Sequence, residues 1–149
     1  RGTLATLPAA EPFDTAIYID VLEHVEDDEA ELRAVLPFLA PGGRLIVLSP
    51  AHAWLYSPFD AAIGHYRRYS GRRLRRLLAP HLEIERLFQL DSLGICLSLG
   101  NRLLLGRREP TRRQVAFWNG FVVPLSRLAD PLTGYSLGRS VVAIARKPR

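Results

Sequence analysis

Two short apolar runs, Thr15-Ala16-Ile17-Tyr18-Ile19 and Leu45-Ile46-Val47-Leu48, each end abruptly, with one helix-length of sequence between them. Near-continuous apolarity in β-prone residues suits strands covered on both faces, as in a parallel sheet. Asp27 or Asp28 can cap the intervening helix, because a carboxylate accepts from free N–H groups of the first turn. Asp28 and Glu31 also have the spacing of a capping box. Leu32, Val35, Leu36 and Leu39 recur at i, i+3, i+4 and i+7 and form one apolar stripe. Pro41-Gly42-Gly43 is expected to stop this helix, since proline lacks the donor and glycine accepts positive φ. Strand, helix and strand of this length make a βαβ unit, right-handed by rule, and predict an α/β fold.

The rest of the chain reads in the same terms. Residues 1–12 read as a loop, and Pro50 to Tyr69 as a long aromatic-rich loop. Ser70 can cap a helix carrying Leu74, Leu77 and Leu78 on one face and ended by Pro80. Leu82 to Leu90 reads as a strand. Residues 91–138 form an insertion, helical by pattern and punctuated by Pro110, Pro124 and Pro131. Ser140 to Ala145 is a last apolar strand. The organisation is thus a βαβ unit with its cap loop over 1–90, the insertion over 91–138 and a final strand within 139–149.

Composition removes several classes. The 149 residues suffice for one domain with a core. The longest apolar stretch, Leu93 to Leu105, is interrupted by Gly100, Asn101 and Arg102, too soon to span a bilayer. The single cysteine, Cys96, excludes an internal disulfide framework; in its apolar run it is expected to be inert core. With no signal peptide at its start, the chain is expected in a reducing cytoplasm. It starts at Arg1 and has no methionine, which predicts a fragment of a longer protein. Charge is uneven: nine acids and no Lys or Arg lie between Glu11 and Glu31, and six arginines and no acid between Asp60 and Glu83. Such asymmetry marks either a partner surface or a solvated helix face.

In open α/β sheets, ligands bind beyond the carboxyl ends of the strands. Two such ends are legible, Ile19-Asp20-Val21-Leu22-Glu23-His24 and Ser49-Pro50-Ala51-His52, and both should open onto one crevice. Phe13-Asp14, an apolar run, Val21-Leu22-Glu23-His24-Val25, then Leu39-Ala40-Pro41-Gly42-Gly43 and a strand ending at Ser49-Pro50 resemble, in that order, the middle of a class I S-adenosylmethionine-dependent methyltransferase. The resemblance covers Phe13 to about Leu78 and extends to the final strand. It implies a Rossmann-like methyltransferase sheet, truncated to its later strands, with a final antiparallel strand and a helical insertion.

The same resemblance implies S-adenosylmethionine as cofactor, with Ile19 and Asp20 against its amino-acid end and Leu22 and His24 on the wall beside it. Glu23 and His24 could equally hold the start of the helix, where the macrodipole favours a carboxylate. Trp54, Tyr56, Tyr66, Arg67 and Tyr69 lie where the family usually places acceptor-binding residues. His65 or His52 is the candidate base for an acceptor hydroxyl, although His65 could instead be a hydrogen-bonded hinge. Glu23, His24, His52, Asp60 and His65 show no tight ligand spacing, so no metal is expected. The glycine-rich cofactor loop is absent, for no Gly-x-Gly occurs here, and the chain alone is expected to be poorly stable and inactive.

The function expected of the parent is methyl transfer to a small molecule, at oxygen. Leu103 to Leu105, Phe117, Trp118, Phe121, Val122, Val123 and Leu125 could cover a lipid-like acceptor, meet a membrane surface, or only seal the core. The alternatives are an RNA-binding or RNA-methylating module acting through Arg67 to Arg76, and a non-catalytic half domain completing a partner chain. The acidic N-terminal half and the clean leucine stripe argue against nucleic acid. The sequence does not address oligomeric state.

Overall fold

The computed structural model describes residues 12–100 and 111–149. The expected opening loop up to residue 11, Leu103 to Leu105 and Pro110 lie outside the described residues. Four strands, β1 (Phe13–Ile19), β2 (Leu39–Pro50), β3 (Glu83–Leu90) and β4 (Ser140–Arg146), form one sheet in the order β1-β2-β4-β3. β1 and β2 are parallel, as the βαβ reading requires, with Thr15 opposite Arg44 and Ile19 opposite Leu48. β4 runs antiparallel to both β2 and β3, so the last strand of the chain fills the middle of the sheet.

The first helix is shorter than its leucine stripe predicts. α1 (Asp28–Val35) is capped by Asp27, whose carboxylate accepts from Ala30 N at 2.8 Å. Glu31 does not close a box; it accepts from the Tyr18 hydroxyl at 2.9 Å. The helix gives way to a 3-10 turn, Leu36–Phe38, because Pro37 has no N–H to continue the ladder. Leu39 therefore starts β2, and Pro41-Gly42-Gly43 lies inside that strand rather than at a helix end. Gly43 is needed there for close approach: a Cβ would lie 2.9 Å from Ala40 O and 3.1 Å from Asp14 O, beside the bulge where β1 slips register. Lys147, the only lysine, donates from Nζ to Leu36 O and Leu39 O, both at 2.8 Å. It thereby ties the end of the chain to the turn between α1 and β2.

α3 (Gly71–Leu78) begins as predicted, with Ser70 Oγ accepting from Arg73 N at 3.1 Å. It buries Leu74 and Leu78 against the sheet face that also receives Leu32 and Val35 of α1. Tyr18, Leu45, Val47, Val141, Ala143 and Ala145 complete this core. Among the described residues nothing covers the opposite face at β1: Ile17 and Ile19 are 59% and 58% exposed, where the apolar run predicts burial on both faces.

The insertion comprises α4 (Ser92–Gly100) and one long helical run in which α5 (Arg112–Phe117) passes through a π-turn (Trp118–Val122) into α6 (Val123–Leu132). Pro124 sits in the first turn of α6 and Pro131 near its end, so neither divides the run. Cys96 is exposed on α4, not inert core. Asp130 of α6 accepts from Asp91 N and Ser92 N, both at 2.9 Å, and so holds the N-terminus of α4. Val122 is buried, whereas Phe117, Phe121, Leu125, Leu128 and Leu132 are exposed.

Candidate active site

β1 and β2 end side by side. Asp20 turns the chain at the carboxyl edge of β1 with φ 51° while its N–H donates to Leu48 O at 3.0 Å. A 3-10 turn, Leu22–His24, follows. Beyond β2, His52 takes φ 62°, an uncommon conformation for a residue with a Cβ. The neck of the long loop is closed by His52 N to Tyr69 O at 3.1 Å and Tyr69 N to Pro50 O at 2.9 Å. Inside the loop, α2 (Pro58–Ala62) is held by a capping box between Ser57 and Asp60.

Asp60 is the centre of this loop. It is fully buried and accepts from Ser57 N at 2.9 Å and Ser57 Oγ at 2.8 Å. Arg68 grips both its oxygens, Nε at 2.9 Å and Nη2 at 3.1 Å, a bidentate charge-assisted pair. His65 Nδ1 lies 3.0 Å from Oδ1. Burial raises the Asp60 pKa, but the bonds from Arg68 and Ser57 outweigh it and hold the carboxyl below its ordinary range. An ionised Asp60 makes His65 Nδ1 the donor, leaving the lone pair on Nε2. Burial lowers the His65 pKa, and Asp60 opposes it only in part, so the ring is neutral at physiological pH.

The expected site residues divide into open and engaged. Ile19 and Asp20 are exposed at the strand end and His24 is exposed beside them. Leu22 is 2% exposed and packs in the core. Trp54 and Tyr66 present open rings, 51% and 53% exposed. Tyr56 donates from its hydroxyl to His65 O at 2.6 Å. Tyr69, expected at the acceptor, is fully buried, and its hydroxyl donates to Asp28 Oδ2 at 2.7 Å. Arg67 pairs with Asp28 at 2.9 Å and also donates to Glu26 O. Tyr69 and Arg67 thus tie the loop to the start of α1. His52 Nε2 is 3.0 Å from Gly138 O; a carbonyl only accepts, so this nitrogen carries the proton and Nδ1 the lone pair.

Of the six arginines that suggested nucleic acid, Arg67 and Arg73 pair with Asp28 and Arg68 with Asp60, while Arg72, Arg75 and Arg76 stay exposed.

Linear spacing gave no ligand cluster, but the fold makes one. The Tyr66 N–H donates to Glu23 O at 2.7 Å and draws the loop across the 3-10 turn. His65 and His24 then meet edge to face with centroids 4.5 Å apart. One ligand atom from each of Glu23, His24 and His65 falls within 4.8 Å of the others. Glu23 is fully buried, takes one bond from Ser49 Oγ at 3.0 Å through Oε2, and leaves Oε1 without a partner. Burial raises its pKa above the ordinary value, helped by the nearby Asp20 carboxylate and opposed by the Ser49 bond.

The profile of a methyltransferase domain family matches residues 4–94, more than half of the chain. This chain belongs to that family. Solved structures agree on the fold of the methyltransferase domain. The N-methyltransferase NodS from Bradyrhizobium japonicum, in complex with S-adenosylhomocysteine, superposes with a TM-score of 0.55 at 16% identity, over 99% of this chain and 53% of that one. A possible histamine N-methyltransferase from Thermotoga maritima gives 0.59 at 22% identity, over 98% and 62%. The [4+2]-cyclase SpnF gives 0.56 at 20% identity, over 99% and 55%. Two structures of NodS head the matches, and the chain spans 53% of one and 57% of the other. No curated protein matches the chain. The domain therefore has the Rossmann-like fold of the class I S-adenosylmethionine-dependent methyltransferases. The presence of a cyclase among the similar structures shows that this fold alone does not set the reaction.

Proposed function

We propose that the protein containing this domain transfers a methyl group from S-adenosylmethionine to a hydroxyl of a small, largely apolar acceptor. The carrying observation is the crevice beyond β1 and β2, where exposed Ile19 and Asp20 stand beside an open loop bearing Trp54 and Tyr66. These residues fit the cofactor: an exposed carboxylate suits the ammonium of its amino-acid end, and an open isoleucine suits apolar contact. When bound, the cofactor supplies an electrophilic methyl on a sulfonium. The protein's own part is to align the acceptor against it, which alone supports a large rate gain.

His52 is the proposed proton acceptor. Its bond to Gly138 O fixes the tautomer and leaves Nδ1 able to take the hydroxyl proton as the methyl–oxygen bond forms. His65, mostly buried and faced by Glu23 and His24, is less open to an acceptor. The exposed apolar residues of the insertion, Phe117, Phe121 and Leu125, support a lipid-like acceptor met at a membrane surface. No described helix is long and apolar enough to cross a membrane.

The test is calorimetric titration of the intact protein with S-adenosylhomocysteine. Asp20→Asn is expected to weaken binding about tenfold, the scale of one charge-assisted hydrogen bond. An unchanged affinity, or no binding by the intact protein, would overturn the reading.

A further inference from the structure

The geometry points to a divalent transition-metal site, of the zinc class, formed by Glu23, His24 and His65 at the mouth of the crevice. The three ligand atoms lie within 4.8 Å of one another, close enough for small side-chain rotations to place them around one ion at bond lengths of about 2 Å.

Three further features suit an ion. Oε1 of Glu23 is buried with no partner among the described residues, a costly state for a carboxylate oxygen that coordination would relieve. His65 is backed by a carboxylate, with Nδ1 on Asp60 at 3.0 Å, and Asp60 is itself clamped by Arg68 and Ser57. Metal-ligating histidines characteristically give their second nitrogen to such a group, which fixes the ring and its tautomer. His24 is exposed, and Gly64 (φ 83°) has no Cβ, which would otherwise lie 3.7 Å from His24 Nδ1.

Two imidazoles and one carboxylate are a donor set for zinc, iron, cobalt or nickel rather than for magnesium or calcium. Such a triad leaves at least one coordination position open. That position could receive water or an oxygen of the acceptor; this last step rests on the methyl-transfer reading, whereas the ion site itself does not.

The test is metal binding by the intact protein, stripped with chelator and titrated with zinc and with cobalt in the absence of any cofactor. One ion per chain is expected, with a cobalt visible spectrum of low symmetry. His24→Ala and Glu23→Gln should each weaken binding by tenfold or more, and His81→Ala, on a histidine outside the cluster, should leave it unchanged. His24 is exposed, so its replacement does not threaten folding; circular dichroism of each variant checks this. No saturable binding, or equal binding by wild type and His24→Ala, would overturn the proposal, as would loss confined to His81→Ala. Because the readout needs no methyl donor, a failed cofactor titration would leave this result standing, and the reverse also holds.

Discussion

Asp28 is the residue on which three segments converge. Its carboxylate accepts from Tyr69, Arg67 and Arg73, joining the first turn of α1 to the loop and to α3. Burial raises its pKa, but the Tyr69 and Arg67 bonds prevail and hold it below the ordinary carboxylate value. A depressed carboxylate contributes stability above its unfolded pKa of about 3.9 and loses it as pH falls through the folded value. Asp28→Asn is therefore expected to cost about 1–3 kcal/mol at neutral pH. In denaturant titrations the gap from wild type should close below about pH 4. A gap that persists into acid would assign the loss to shape rather than charge. Gly138 is constrained differently: a Cβ there would collide with the Leu90 backbone. Gly138→Ala should destabilise by about 1–3 kcal/mol, read as a lower melting midpoint.

At the scale of elements, the sequence was most legible where one local rule decided the outcome. Ser70 reads as a cap and is one; the alternation of apolar runs and helices gives the parallel β1–β2 pair. It misled where a second rule competed. The leucine stripe through Leu39 hides the effect of Pro37, and the apolar run around Cys96 suggests a burial that α4 gives Ile95 but not Cys96. In sequence Asp60 stands out only within a ligand set whose spacing is too loose, although Ser57 and Asp60 have the capping-box spacing that marks a helix start. The joining of Glu23, His24 and His65 was invisible, because a loop crossing from beyond β2 sets it. Lys147 also acts across elements, bonding Leu36 O and Leu39 O between α1 and β2 from beyond β4. Lys147→Met keeps the stem but loses both bonds, and is expected to cost about 1.5–3 kcal/mol. Amide exchange should quicken mainly in the Leu36–Leu39 turn. Uniform acceleration would show that the lysine supports the whole fold instead.

The whole molecule is lopsided. One face of the sheet carries the core with α1 and α3, while Phe13, Ile17 and Ile19 remain exposed on β1, at the sheet edge among the described residues. An apolar, unpaired edge strand is a template for association. The 149-residue chain by itself is expected to form concentration-dependent aggregates in light scattering, and Ile17→Lys with Ile19→Lys should reduce them. Equal monodispersity of wild type and the double variant would show that the edge is harmless.

The place of β4 in the sheet has a consequence for synthesis on the ribosome. The strand made last of the four is the only described link between β2 and β3, so the β3 edge facing β4 waits while some fifty residues are added. Long-range closure of this kind slows folding and prolongs the exposure of strand edges. A stop codon just after β3 would spare Ile19, Asp20, Trp54 and Tyr66, yet would take away the Gly138 carbonyl that holds His52 and leave half the sheet without its keystone.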